Sequence, residues 1–146
     1  GDPVEEDGSK SPIPAGFPLT ATKWKVTPEV MRYGILNVYK RYACPIYISE
    51  NGLSCNDKVY LDGQVHDADR IDFLTRYLRC LSQCIEEGVD LRGYLQWSFL
   101  DNFEWSSGYS ERFGIIYVDY ATGQRIPKDS ARWYKQVIQS NGEILK

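Results

Sequence analysis

The sequence predicts an α/β fold organised around a parallel β-sheet. Two short apolar runs, 45–49 and 91–99, lack the strict alternation of a half-exposed strand, which indicates strands buried on both faces. A segment with helical periodicity lies between them, in the order of a β-α-β unit. Because two parallel strands do not form a stable sheet alone, further strands come from another chain or the segment is a piece of a larger barrel.

The elements can be assigned in order along the chain. Residues 1–23, rich in proline and glycine, are predicted to form a loop. Thr27 followed by Pro28 indicates the start of a helix that extends to about Tyr42. The first strand follows at 45–49 and ends at the Asn51-Gly52 turn, and residues 51–66 form a polar loop.

The second helix has the clearest periodicity. Asp67 or Asp69 is placed to cap its start, and Gly88 is placed to end it. Spacings of three and four residues put five apolar side chains on one face: Ile71, Leu74, Leu78, Leu81 and Ile85.

The C-terminal third contains one more strand and one more helix after several turns. The second main strand is predicted at 91–99, an aromatic-rich loop at 101–109, and a short extra strand at 113–118. The last helix starts at Asp129 or Ser130 and ends at Asn141-Gly142.

The composition excludes several classes of protein. Hydrophobic residues make up 42% and charged residues 25% of 146 positions, which is typical of a globular chain and not of a disordered one. The net charge of −3 argues against nucleic-acid binding. No apolar run approaches the roughly 20 residues that span a membrane, and the N-terminus lacks the features of a signal peptide.

The cysteines indicate neither a metal centre nor a disulfide framework. They lie at 44, 55, 80 and 84 without C-x-x-C spacing, and the chain has a single histidine. We therefore expect reduced thiols in a cytoplasmic protein, with no metal and no cofactor.

Two carboxylates occupy the places where a parallel α/β fold carries its chemistry. Glu50 directly follows the first predicted strand, and Glu104 lies beyond the second, between Trp97 and Trp105. Carboxylates handle protons and sugar hydroxyls, and an indole packs on the apolar face of a pyranose, so the set suits a sugar site. In the alternative interpretation, Glu50 is a solvated turn residue and the two tryptophans belong to the core.

Two motifs, YISENG at 47–52 and WSFLDNFEW at 97–105, resemble the C-terminal part of glycoside hydrolase family 1, the β-glucosidase family. The segments around Trp24 and Pro28, at 112–119 and at 125–134 match in the same order. The resemblance implies a (β/α)8 TIM barrel, of which residues 1–146 form a C-terminal fragment with about strands seven and eight and their flanking helices. Within that fragment, 1–23 is the loop and 24–146 the helix-strand-helix-strand-helix part.

The resemblance also implies roles for the site residues. Glu50 is the catalytic nucleophile of a retaining hydrolysis of terminal β-D-glucosyl or galactosyl residues. Glu104 and Trp105 bind sugar hydroxyls, and Trp97 forms the stacking platform. Phe113 either flanks the same pocket or is a core residue. The substrate is a β-glucoside or an oligosaccharide.

One family feature does not occur in this sequence: the Asn-Glu-Pro motif that carries the acid/base glutamate. A retaining mechanism needs a second carboxyl group about 5–5.5 Å from the first. His66, expected to be exposed in the loop before the second helix, is no substitute. The chain alone is therefore expected to be incomplete and inactive, with the N-terminal remainder of the barrel as its partner in the same or a separate chain.

Two alternatives to that interpretation stay open. The chain could be a non-catalytic carbohydrate-binding or structural half-barrel fragment. It could also be an engineered or proteolysed piece that a separate N-terminal chain completes.

Overall fold

An irregular segment precedes the first helix in the computed structural model, which describes residues 13–145. An isolated bridge between Leu19 and Lys25 is its main ordered feature, and residues 1–12 of the predicted loop lie outside the described part. Helix α1 then spans Pro28–Tyr42, as the proline signal predicts. Thr27 forms no side-chain cap; its backbone N–H donates instead to the Tyr77 hydroxyl at 3.1 Å.

Two parallel strands and their connecting helix form the predicted β-α-β unit. Strand β1 spans Ile46–Asn51, helix α2 spans Ala68–Glu86, and strand β2 spans Leu91–Gln96. The two strands pair in parallel, from Ile46 beside Leu91 to Asn51 beside Gln96. Their carboxyl ends therefore lie at the same edge of the sheet.

The strand ends differ from the prediction at two places. Glu50 lies inside β1 and not in the following turn, because pairing continues to Asn51. The second strand ends at Gln96 instead of Phe99. The reason is a change of partner: the Trp97 N–H still donates to the Asn51 carbonyl at 2.9 Å, whereas the Ser98 N–H donates to the Phe113 carbonyl at 3.1 Å.

The buried face of α2 is rotated from the predicted stripe. Leu74 and Leu81 are buried as expected, but Ile85 is 54% exposed. Phe73, Tyr77 and Cys84 are buried in addition. Phe73 and Tyr77 stack with ring centroids 4.0 Å apart, and this large aromatic pair draws their side of the helix inward.

A small hairpin and a helix complete the described chain. Strand β3 (Ile116–Val118) pairs in antiparallel fashion with strand β4 (Arg125–Pro127), and helix α3 spans Asp129–Gln139. The extra strand predicted at 113–118 is thus only its second half, because 113–115 exchange hydrogen bonds with Ser98 outside a regular ladder.

A cluster of buried charges joins the loops after β1 and β2 to helix α2 and to the start of α3. Lys128, with no exposed side-chain surface, donates to Asp57 at 2.5 Å and to Asp101 at 2.8 Å. Arg70 is equally buried and pairs with Asp57 at 2.7 Å and with Asp67. We call the set the buried ion network; its members are Asp57, Asp67, Arg70, Asp101, Arg112 and Lys128.

Two further features bear on the expectations from sequence. All four cysteines are free. Within residues 13–145, no helix has the length and apolar character needed to cross a membrane.

Candidate active site

A cavity of about 510 Å³ opens at the carboxyl end of the β1–β2 pair. It is formed by the ends of both strands, the loop after β2, the turn that precedes α1, and the Phe73 and Tyr77 side chains of α2. All five site residues predicted from the sequence line it, namely Glu50, Trp97, Glu104, Trp105 and Phe113.

The end of β1 places Glu50 at this cavity. Its neighbour Asn51 is held from the side, because the Tyr94 hydroxyl of β2 donates to the Asn51 side-chain carbonyl at 2.9 Å. The Asn51 backbone carbonyl also accepts from the Trp97 N–H at 2.9 Å. These contacts fix the end of strand β1, so the Glu50 carboxylate projects from a rigid part of the sheet.

Trp97 and Glu104 form a polar contact across the cavity wall. The indole N–H of Trp97 donates to the Glu104 carboxylate at 3.3 Å. Partial burial raises the pKa of Glu104, and the negative charges of Glu50 and Glu111 raise it further, while the Trp97 hydrogen bond opposes them. The Glu104 carboxylate therefore lies within the electrostatic influence of Glu50.

The loop after β2 carries Glu104 and Trp105 to the cavity rim. The Gly108 N–H donates to the Trp105 carbonyl at 3.0 Å and closes a short 3-10 turn at Trp105–Ser107, and the Glu104 N–H donates to the Gly108 carbonyl at 2.7 Å across the base of this turn. Trp105 adopts a left-handed backbone with φ of 46° and is 84% exposed. Its indole is thus displayed with little protein packed against it.

Phe113 belongs to both the core and the cavity. It is only 5% exposed, yet it lines the cavity and contacts the ring of Trp24, with centroids 5.9 Å apart. Both sequence interpretations of Phe113 therefore describe part of its environment.

The turn before α1 supplies cavity residues that were not predicted as site residues. Trp24 and Lys25 line the cavity together with Thr20. The turn is tied down because the Trp24 N–H donates to the Thr20 hydroxyl at 3.1 Å and the Thr22 N–H donates to the Ser54 hydroxyl at 3.1 Å. Trp24 entered the sequence analysis only through the family resemblance, and no local pattern marks Thr20 or Lys25.

His66 lies elsewhere and is exposed, as expected. Its ring nitrogens contact the carboxylates of Asp129 at 2.6 Å and Asp62 at 2.9 Å, and hydrogen bonding to Asp129 and then to Asp62 raises its pKa. It is not among the residues that line the cavity.

The cavity combines two carboxylates with three indoles and leaves room for a ligand the size of a sugar ring. Carboxylates can attack an electrophilic carbon or accept hydroxyl protons, and indoles offer apolar faces and N–H donors. Among the described residues, no group of three or more His, Cys, Asp or Glu side chains is arranged to hold a metal ion.

The chain is similar to known proteins over most of its length. The model of glycosyl hydrolase family 1 matches residues 4–143. Beta-glucosidase A of Thermotoga maritima is 49% identical over 127 residues, which cover 86% of this chain and 28% of that protein. A bifunctional beta-D-glucosidase/beta-D-fucosidase of Bifidobacterium breve is 44% identical over 131 residues, which cover 86% of this chain and 28% of that protein.

Solved structures show the same relationship. The beta-glucosidase from Thermotoga maritima in complex with glucoimidazole superposes with a TM-score of 0.89 at 46% identity, covering 94% of this chain and 31% of that one. The described fold is therefore part of a (β/α)8 barrel, and the chain spans about 30% of the length of the relatives that it matches.

Proposed function

The chain belongs to glycosyl hydrolase family 1, and on this premise we propose that it carries the nucleophile and part of the sugar subsite of a β-glucosidase. The reaction is the hydrolysis of terminal non-reducing β-D-glucosyl or galactosyl residues with retention of configuration. The observation that carries the proposal is the convergence of Glu50, Trp97, Glu104, Trp105 and Phe113 on one cavity at the carboxyl end of parallel strands.

Glu50 is the proposed nucleophile. Its carboxylate attacks the anomeric carbon, the bond to the leaving oxygen breaks, and that oxygen takes a proton from a general acid. Water then attacks the glycosyl ester, gives its proton to the same group and releases Glu50. A rigid strand end suits this role, because the attacking oxygen must stay within about 3–3.5 Å of the carbon.

The other cavity residues orient the sugar. The Trp97 ring packs on the apolar face of the pyranose, and its N–H holds the Glu104 carboxylate at 3.3 Å. Glu104 then accepts hydrogen bonds from the outer hydroxyls, and the exposed Trp105 indole donates to another. Phe113 closes the wall between them and the core.

The general acid comes from outside this chain. The sequence lacks the Asn-Glu-Pro motif in which the family carries it. Losing a general acid costs about 10²–10⁴ in rate. The proposed partner is the N-terminal part of the barrel, so the 146-residue chain alone is expected to be inactive. Free thiols at all four cysteines support a cytoplasmic location for the assembled enzyme.

A hybrid enzyme tests the proposal. In this hybrid, residues 4–143 replace the matching part of the Thermotoga maritima beta-glucosidase A. We expect the folded hybrid to hydrolyse an aryl β-glucoside. Glu50→Ala abolishes turnover, and added azide restores part of it and yields the glycosyl azide with inverted configuration. Glu86→Ala, an exposed glutamate on α2, is the matched control and keeps full activity.

Two results would count against the proposal. A Glu50→Ala hybrid with normal turnover excludes Glu50 as nucleophile. A folded but inactive hybrid, together with sugar binding by the 146-residue chain measured by calorimetry, favours a carbohydrate-binding module.

A further inference from the structure

We propose that Asp101 is a positioning residue. Its buried carboxylate fixes the loop that carries Glu104 and Trp105 in its position relative to the bound sugar, and so determines how strongly the enzyme prefers substrates that carry the outer hydroxyl groups. This inference rests on the proposed function. Asp101 itself does not line the cavity; it acts through Glu104 and Trp105, which lie three and four residues later in the loop.

Four donors from three segments converge on this one carboxylate. Its Oδ1 accepts from the Gly114 N–H at 3.0 Å and from Lys128 Nζ at 2.8 Å. Its Oδ2 accepts from Arg112 Nη1 at 2.6 Å and from the Val118 N–H at 3.4 Å. The side chain has no exposed surface, so water does not compete for these bonds.

The backbone around Asp101 is fixed as firmly as its side chain. The Asp101 N–H donates to the Ile116 carbonyl at 3.0 Å. Gly114 packs so closely that a Cβ at that position would lie 2.2 Å from the Asp101 nitrogen. Asn102, the next residue, donates to the Ser98 hydroxyl at 3.1 Å. The stem of the loop is therefore rigid.

The Glu104 and Trp105 side chains, farther along the loop, make fewer contacts than the Asp101 side chain does. Trp105 is 84% exposed, and the Trp97 contact of Glu104 is a single 3.3 Å hydrogen bond. The placement of both side chains therefore depends on the stem three residues earlier. Misplacement by about 1 Å in a binding site is enough to cost about a hundredfold in rate.

Asp57 offers a matched control inside the same buried ion network. Asp57 and Asp101 both accept from Lys128, at 2.5 and 2.8 Å, and their side chains are 2% and 0% exposed. Asp57 lies before α2 and makes its other contact with Arg70, far along the chain from the loop. Asp57→Asn therefore removes an equivalent charge that shares Lys128 with Asp101 but makes no hydrogen bond of its own to the stem.

The experiment compares two substrates in the hybrid. An aryl β-glucoside carries the C6 hydroxymethyl group, and the aryl β-xyloside lacks it. We expect Asp101→Asn to reduce the ratio of kcat/KM for glucoside over xyloside by about tenfold, because a charge-assisted contact is lost at the loop that recognises the outer hydroxyls. Asp57→Asn leaves this ratio unchanged, although both variants lower Tm.

An unchanged ratio in Asp101→Asn, or an equal change in both variants, would overturn the inference. If Asp101→Asn does not fold, Arg112→Gln removes the 2.6 Å contact and leaves Asp101 charged, and the same shift of smaller size is expected. Hydrogen exchange at the Glu104 amide gives a readout without turnover: faster in Asp101→Asn and unchanged in Asp57→Asn. An inactive parent hybrid would instead indicate failure of the proposed function.

Discussion

Gly52 lies directly against the backbone of Trp97: a Cβ added to Gly52 would sit 1.8 Å from the Trp97 carbonyl oxygen. No side chain fits into that space without moving one of the two segments. The close approach brings the end of β1, which carries Glu50, against the start of the loop that carries the proposed stacking platform. A glycine is therefore required at this position for geometric reasons.

The first prediction concerns this contact. Gly52→Ala forces β1 away from Trp97, and overpacking of this kind costs about 1–3 kcal/mol. We expect a lower Tm and a large loss of kcat/KM in the hybrid. Gly34→Ala is the control, because Gly34 lies in α1 with no atom within 4 Å of the added Cβ. It should raise the stability by about 0.5–1 kcal/mol. Equal effects of the two substitutions would contradict the steric argument.

The second prediction concerns sugar selectivity. The Glu104 carboxylate accepts hydrogen bonds from neutral outer hydroxyls and repels a phosphate placed there. At an effective dielectric constant near 20, two like charges 4 Å apart repel by about 4 kcal/mol, and solvent in the open cavity reduces this. We expect kcat/KM to favour an aryl β-glucoside over its 6-phosphate by at least about a hundredfold.

Glu104→Gln removes the charge and should narrow that preference. Glu111→Gln is the control, since Glu111 is a neighbouring acid that does not line the cavity. Faster hydrolysis of the 6-phosphate by the parent hybrid would show that Glu104 does not face the outer hydroxyls.

A third prediction concerns pH and His66. Its pKa is raised because Asp129 and Asp62 bind the charged ring. Because the pKa of His66 is higher in the folded than in the unfolded state, protonation of His66 stabilises the fold. This stabilisation is fully present at a pH below the pKa of the unfolded state, about 6.5, and is lost as the pH rises through the pKa of the folded state. We expect the free energy of unfolding to fall over this range, measured by urea denaturation from about pH 5.5 to 8.5.

His66→Gln should flatten that dependence. Arg76→Gln serves as its control, because it removes the exposed Arg76–Asp72 pair, 2.7 Å, without removing a group that titrates near neutrality. A slope that survives in His66→Gln would assign the dependence to another group.

The fourth prediction concerns the chain without a partner. Among the described residues β1 and β2 pair only with each other, and apolar side chains on them are exposed, Tyr47 by 61% and Leu95 by 56%. Open strand edges and uncovered apolar side chains favour association. We expect the sedimentation coefficient to rise with protein concentration, and addition of the N-terminal barrel segment should suppress this. A concentration-independent monomer with a sharp calorimetric melt would refute it.

Local signals in the sequence account for most of the elements. Pro28 and Pro45 bracket α1, so its bounds agree with the prediction. Strand β4, Arg125–Pro127, was missed because three residues ending in proline carry no periodic signal. Ile85 was assigned to the buried face of α2 by spacing alone, whereas the Phe73–Tyr77 stack determines which side packs inward.

The site residues also fall into two groups, those that local sequence motifs identify and those that they do not. Glu50, Glu104 and the two tryptophans lie in compact motifs after strands, where topology brings them together. Thr20 and Lys25 reach the cavity through a turn tied to Ser54, a contact between segments about 30 residues apart that has no local signature. The buried ion network could not be predicted from the sequence, because Asp, Arg and Lys side chains are normally exposed and nothing local marks Asp57, Arg70 and Lys128 as buried.

The balance of charges in the buried ion network limits which substitutions this sequence can accept during evolution. Its three acids and three bases balance, so a substitution that removes one member strands a buried charge, at a cost of about 3–5 kcal/mol. Replacing a complete pair with apolar side chains is tolerated far better. Asp57 and Lys128, which lie 71 positions apart in the sequence, are therefore expected to covary. Descendants of this chain are expected to keep both or to lose both.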